Sequence, residues 1–364
     1  MFSRLSKRKV FVGVSGGVDS SVAAALLKNQ GYEVVGVFIR TWQPEWIECT
    51  WRDERRDAMR VCAHLGIPFV ELNLEEEYKK GVADYMIAEY RKGRTPNPDV
   101  MCNREVKFGG FLAWARKQGG VVATGHYARV AEALSFREGA SRSGRVCLLK
   151  GADPAKDQSY FLWTLTSDQL KDIMFPVGHL QKSEVRKLAE KYHLPTAVKK
   201  DSQGICFIGD VNMKEFLSHY ITVTPGDVLD TEGEVIGHHD GALFYTLGER
   251  HGFVITKKGT QDAPYYVIAK DIGANTITVS HSPAERAPET TCHLESCIWR
   301  SIPTQEKEYR AAVRYHGHEY ACSITIGADE TATVSFKQFD TPLAQGQSVV
   351  VYDGNTCIGG GVVA

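Results

Sequence analysis

The stretch Gly13-Val-Ser-Gly-Gly-Val-Asp-Ser20, followed by Ser21, places paired glycines between an apolar run and a helical pattern. Glycines there let the chain turn sharply, so that backbone N–H groups converge on an anion at the next helix N-terminus, where the helix dipole assists. Ser15, Ser20 and Ser21 add hydroxyl donors, and Asp19 adds a carboxylate. The stretch lacks the Gly-Lys-Ser/Thr ending of a Walker loop and the glycine spacing of a dinucleotide-binding turn. It also reads as a plain tight turn closing a strand–helix unit. Further along lie two cysteines in polar loops, Cys102 in Thr95-Pro-Asn-Pro-Asp-Val-Met-Cys-Asn103 and Cys206 in Asp201-Ser-Gln-Gly-Ile-Cys-Phe-Ile-Gly209. A phosphate loop suggests activation by a nucleotide, and paired thiols suggest sulfur delivery.

A thiol attacks only as thiolate, which needs an electropositive or helix-terminal setting. Cys102 precedes a helix expected from Glu105, whose unpaired N–H groups would lower the thiol's pKa. The prolines of Pro96-Asn-Pro98 are expected to exclude helix and stiffen the loop. Asp99 lies close enough before Cys102 to act as an acid/base partner, and Cys206 follows a flexible Ser202-Gln-Gly204 stretch suited to a travelling thiol. Taken singly, each cysteine also reads as a small buried hydrophobe. Zinc is the other alternative, but neither has a second Cys or His at ligand spacing. Cys292 and Cys297, with His293 between them, are read as structural.

These residues need a frame. Lys9–Val14, Glu33–Ile39, Pro68–Leu72 and Val121–Thr124 read as strands, and Asp19–Gln30, Asp53–Leu65, Leu74–Tyr90 and Glu105–Gln118 as helices. That alternation implies right-handed crossovers and a parallel sheet covered on both faces, a doubly wound α/β domain. After Tyr220 the character changes: Pro225-Gly-Asp, Asp240-Gly, Asp353-Gly and Gly359-Gly-Gly361 punctuate short β-branched or aromatic runs. Such punctuation indicates two smaller β-rich modules, expected over 221–285 and 286–364 after a catalytic domain over 1–220.

Composition sets limits. A chain of 364 residues with 43% hydrophobic and 24% charged content is ordinary for a globular protein of several domains. No apolar run reaches bilayer length, and the short basic N-terminus lacks the apolar core of an export signal. Nine cysteines, an odd count, favour a reducing, cytoplasmic setting over a disulfide framework. The net charge of −1 means that any nucleic-acid surface must be a local patch.

The phosphate loop resembles the PP-loop of ATP pyrophosphatases. Together with Thr-Pro-Asn-Pro-Asp-x-x-Cys-Asn, Thr124-Gly-His-Tyr127, Lys156-Asp-Gln-Ser-Tyr-Phe161, Asp-Ser-x-Gly-Ile-Cys-Phe-Ile-Gly and Tyr245-Thr-Leu-Gly248, it makes the chain similar to the tRNA-specific 2-thiouridylase family. The match runs in order across nearly the whole chain. The resemblance implies a Rossmann-like, adenine nucleotide alpha hydrolase-like domain followed by two β-rich modules, the last a β-barrel that binds tRNA.

The resemblance also implies roles. ATP would be held by Gly13, Val14, Ser15, Gly16, Gly17, Val18, Asp19 and Ser20, with Ile39 and Gly125 at the adenosine. Asp19 would help position Mg²⁺ around the leaving pyrophosphate, and no stable protein metal site is expected. Asn97, Pro98 and Asp99 would meet the target base; Lys156, Asp157, Gln158, Arg314 and Tyr315 would meet tRNA elsewhere. Asp99 would be the acid/base residue. Cys206 would carry a persulfide from a donor, a cysteine desulfurase or sulfur-relay protein. Cys102 would release or resolve that sulfur, leaving a Cys102–Cys206 disulfide. Lys182, Glu184 and Arg186 read either as RNA contacts or as a solvated helix face with Glu184 paired to Lys187. The chain departs from the family at Glu249, where Gln is common, and at His316, where a second arginine is frequent. The Trp42–Trp51 segment reads as a lid, a docking surface or a local core.

Other functions fit parts of this pattern. A PP-loop enzyme adenylating a small molecule would need neither the cysteine pair nor the β-rich modules. A noncatalytic sulfur carrier or RNA-binding adaptor would not need the intact Ser15, Gly16, Gly17, Asp19 and Ser20.

Overall fold

Short β-branched runs supply the first sheet, whose inner strands are buried on both faces and so read as continuous apolar sequence rather than alternation. A computed structural model describes residues 9–47, 51–132, 146–200, 213–257, 263–282 and 291–364. The sheet contains β1 (Lys9–Gly13), β2 (Glu33–Arg40), β3 (Phe69–Asn73), β4 (Val121–Ala123) and the short strand Ile173–Met174. Their order is β3-β2-β1-β4 and then Ile173–Met174, and every neighbour pair is parallel. Helices α1 (Val18–Asn29) and α2 (Trp51–Leu65) and the helix Lys182–Lys191 cover one face through Val22, Ala58, Val61 and Val185. The opposite face carries Tyr78, Met86, Phe108 and Phe111 from two long helical runs. The strand order reverses between β1 and β4, and ligands of such sheets bind at that switch, beyond the strand C-termini.

The second helical run corrects an expectation about Cys102. Helix begins at Pro98, continues as a wider-turn stretch over Cys102–Gly110 and ends as Phe111–Lys117. Cys102 is therefore inside a helical run, not ahead of one that starts at Glu105. The physical reason lies in Asn97 and Pro98. Asn97 caps the helix, its side chain accepting from Val100 N at 3.2 Å, and Pro98 takes the first-turn position where its missing N–H costs nothing. Proline thus starts this helix instead of excluding it.

Two β-rich units follow. The first is a five-stranded sheet in the order Phe253–Ile255, Val235–His239, Gly226–Leu229, Thr276–Ser280 and Tyr266–Asp271. The second is a six-stranded barrel, closed where Thr291–Trp299 pairs with both Ala332–Phe336 and Thr356–Val363. A hairpin from earlier in the chain, Ala128–Glu132 with Val146–Lys150, extends the barrel sheet: Leu149 and Leu148 pair with Thr356 and Cys357. Arg300 fastens the same junction. Its Nη1 donates to the carbonyls of Trp163 at 2.7 Å and Leu165 at 2.6 Å, while Nε and Nη2 donate to Cys357 O at 3.1 and 2.8 Å. Cys292 and Cys297 are buried in the barrel core.

Candidate active site

The glycine loop leaves β1 and enters α1 with Gly16 in the left-handed region at φ 74°. A Cβ on Gly16 would lie 2.6 Å from Glu54 O, so the loop's path against α2 needs glycine on two counts. Gly17 occupies the N-cap position in extended conformation, which leaves the first N–H groups of α1 pointing out of the helix end. Ser15 N donates to Ser20 Oγ at 3.3 Å, and Ser21 Oγ donates to Gly17 O at 2.7 Å. Gly125, just past β4, lies against this turn; a Cβ there would meet Ser20 N at 2.6 Å. Val14 N donates to Val37 O at 2.8 Å, and Ile39 follows two residues later near the end of β2. Gly13 to Ser20 and Gly125 thus meet at the end of β1.

Asp19, in the first turn of α1, is engaged from two directions. Lys182 Nζ lies 2.7 and 2.9 Å from its two carboxylate oxygens, and Tyr127 OH donates to Oδ1 at 2.8 Å. Sequence reasoning left Lys182 between RNA contact and surface, and gave Tyr127 no role. Lys182 stands in the first turn of its helix, and the fold aims its side chain back toward α1. Asp153 fixes that turn by accepting from Lys182 N at 2.8 Å. Glu184 does not serve as a surface partner for Lys187 in this arrangement; its carboxylate accepts from Gln181 N at 2.7 Å and caps the helix. Arg186 donates to the carbonyls of Ala197 and Lys199.

His126, between Gly125 and Tyr127, is buried among Phe108 and Phe175, with Nδ1 2.8 Å from Thr124 Oγ1. Burial, helped by the Lys107 charge, holds its pKa well below 6.5 and keeps the ring neutral.

The helix capped by Asn97 carries Asp99 and Cys102, and Cys102 is 1% exposed. The Tyr160 hydroxyl donates to Ser348 O at 2.9 Å, in the barrel domain. Tyr315 comes in from the barrel domain, its ring 4.4 Å from that of Phe161 and stacked on His316 at 3.9 Å. Burial, with added charge from Asp157 and Asp99, pushes the Tyr315 phenol up to about 12. Asn97, Asp99, Asp157 and Tyr315 therefore share one neighbourhood. Cys206 and its loop lie outside the described residues.

Asp157 and Gln158 shape the chain as well as lining this neighbourhood. Asp157 accepts from Gly151 N at 2.8 Å and Ser159 Oγ at 2.9 Å, and Gln158 Oε1 accepts from Tyr127 N at 3.0 Å. Lys156 is half-buried beside them. Arg314 is half-buried too, with Nη2 3.3 Å from Pro342 O and 3.5 Å from Leu247 O, joining the barrel to the central sheet. Glu249 accepts from Thr246 N at 2.9 Å, and burial raises its pKa. In the tryptophan-rich segment, Trp46 stacks on His219 at 3.8 Å and leans on Phe216, so its described part packs on the helix Met213–Ser218.

Among the described residues no group of three or more His, Cys, Asp or Glu side chains is arranged to hold a metal, and no helix is long and apolar enough to cross a membrane. A family model described as a tRNA methyl transferase HUP domain matches residues 8–210. A PRC-barrel domain of the same description matches 214–281, and an aminomethyltransferase beta-barrel domain matches 289–363. Among curated relatives, a tRNA-specific 2-thiouridylase MnmA 2 of Geobacillus kaustophilus is 44% identical over 98% of this chain and 94% of its own length. The tRNA-specific 2-thiouridylase MnmA of Bacillus subtilis is 43% identical over 100% of this chain and 96% of its own. That of Enterococcus faecalis is 44% identical over 98% and 96%. With its glycine loop, its Asn97-capped helix and this near-complete coverage, the chain belongs to the tRNA-specific 2-thiouridylase family.

Proposed function

We propose that this protein replaces the 2-oxygen of the wobble uridine, position 34, of lysine, glutamate and glutamine tRNAs with sulfur, at the expense of ATP. The observation that carries the reading is the pairing, in one chain nearly coextensive with the thiouridylases, of an intact phosphate loop with Asp99 and Cys102 on a single capped helix. Gly13 to Ser20 hold the triphosphate through the open end of α1, and Ile39 and Gly125 flank the adenosine. The uracil 2-oxygen attacks the α-phosphorus, pyrophosphate leaves, and carbon 2 acquires AMP as a leaving group. Asp99 manages the proton at the base, with Asn97 and Pro98 beside it.

Cys206 brings a persulfide made by a desulfurase or relay protein. Its terminal sulfur bonds to carbon 2 as AMP leaves, either directly or after release as hydrosulfide. In both orders the Cys102 thiolate attacks Cys206 Sγ, the electron pair stays with the departing sulfur, and a Cys102–Cys206 disulfide remains for a cellular thiol to reduce. Lys156, Asp157, Gln158, Arg314 and Tyr315 hold the tRNA, the last as a stacking ring. The work divides among a catalytic unit over 1–220, a central module over 221–285 and a tRNA-binding barrel over 286–364, in the cytoplasm.

Asp19 fits Mg²⁺, since that ion takes one or two carboxylates together with substrate phosphates. When bound, it offsets charge on the leaving pyrophosphate.

Mass spectrometry of tRNA incubated with the protein, ATP and a persulfide donor tests the reading. One oxygen should be exchanged for sulfur at the wobble uridine, only with ATP present. Cys206→Ser should abolish the exchange while tRNA binding persists; sulfur transfer by that variant would remove Cys206 from its role.

A further inference from the structure

The link Gly93-Arg94-Thr95-Pro96 joins the helical run that ends at Arg91 to the helix that Asn97 caps. All three units of the chain meet on it. From the central module, Ile272 lies so close that a Cβ on Gly93, at φ 75°, would come within 2.5 Å of its side chain. Thr246 of the same module has its Oγ1 3.3 Å from Thr95 Oγ1. From the barrel, Gln345 O accepts from Thr95 N at 2.7 Å. Arg94 bridges the catalytic domain and the barrel by itself. Its Nε lies 2.8 Å from the buried Glu89 carboxylate, while Nη2 donates to Val363 O at 3.0 Å and to the Glu295 carboxylate, both on barrel strands. The arginine side chain is only 16% exposed, so salt screens these charges little. Pro96 restricts Thr95 and stiffens the link, and Asp99 and Cys102 follow within two turns of Asn97.

We propose that Arg94 is a positioning residue that clamps the root of the Asp99–Cys102 helix to the barrel, so that both side chains are set only when the barrel is seated. A guanidinium can do this and an ammonium cannot, because its fork serves Glu89 and the barrel at once. Arg94 acts through the helix and not on the substrate. Reacting groups displaced by about 1 Å forfeit up to about a hundredfold in rate, so a slack link costs turnover rather than RNA affinity. The proposal rests on the reading of Asp99 and Cys102 as thiolation residues, but the tether itself is measurable without it.

Alkylation of the tRNA-free full chain with iodoacetamide, read cysteine by cysteine in the mass spectrometer, tests the tether. Cys102 is 1% exposed, as is Cys62 on the opposite face of the sheet. In Arg94→Gln, Cys102 should react about tenfold faster than in the parent while Cys62 is unchanged, with Arg94→Lys between the two. Equal acceleration at both cysteines marks a general loosening and overturns the proposal, as does a parent-like rate at Cys102. Single-turnover thiolation at saturating ATP and tRNA tests the consequence. Arg94→Gln should be about thirtyfold slower and Glu295→Gln about fivefold slower, with tRNA affinity in filter binding within about twofold of the parent. A loss that falls on tRNA affinity instead makes Arg94 an RNA contact and overturns its positioning role. If Arg94→Gln does not fold, Glu295→Gln decides both measurements, and parent-like behaviour there overturns the proposal. A parent chain that thiolates no tRNA, with Cys102 still loosened by Arg94→Gln, overturns the thiolation reading and leaves the tether standing.

Discussion

Gln158 and Tyr127 are joined twice: Gln158 N donates to Tyr127 O at 2.9 Å, and Tyr127 N donates to Gln158 Oε1 at 3.0 Å. The hydroxyl of the same tyrosine reaches Asp19. One residue therefore separates the turn assigned to tRNA from the carboxylate assigned to the nucleotide.

Tyr127→Phe keeps the ring and both backbone bonds but removes the hydroxyl from Asp19. Hydrogen bonds to charged groups are worth about 1.5–3 kcal/mol, so tRNA-dependent pyrophosphate release should slow about tenfold or more. Filter binding should show unchanged tRNA affinity. Equal losses in both assays would place the effect in the RNA site instead.

Arg300→Met should destabilise the whole chain, because it strips the carbonyls of Trp163, Leu165 and Cys357 of a charged donor at a domain junction. A loss of about 3 kcal/mol is expected, measured as a lower urea midpoint. Two separate transitions, with the barrel unfolding first, would show that Arg300 couples the domains; an unaltered midpoint would refute that coupling.

His126 sets an acid limit on stability. Its folded pKa is depressed below 6.5, so as pH falls through 6.5 the unfolded chain takes up a proton that the folded chain refuses. Stability contributed by the neutral ring is thus complete above that value and declines below it, down to the folded pKa. Urea midpoints between about pH 7 and pH 5 should fall less steeply in His126→Gln than in the parent. Parallel slopes would assign the acid sensitivity to other groups.

The alternating elements and the glycine loop were legible because hydrophobic spacing and turn chemistry are local. The Cys102 setting was misread because Pro98 has opposite meanings in a helix interior and in a first turn; the Asn97 cap decides between them. Lys182 and Tyr127 were illegible as phosphate-loop residues, since Asp19 meets them only after the sheet brings β1 and β4 together. The hairpin of Ala128–Glu132 and Val146–Lys150 carried no sign in its sequence that its partner would be a strand some two hundred residues away. Glu249, where the chain departs from the family, is occupied with capping its own turn.

That hairpin has an evolutionary consequence. A chain cut short before Thr356 would strip Val146–Lys150 of its barrel partner and leave raw backbone at an edge, an invitation to aggregate. The barrel is therefore no detachable accessory. Shuffling it onto another catalytic unit would require moving two distant pieces of gene at once, which favours inheritance of the chain as a single piece.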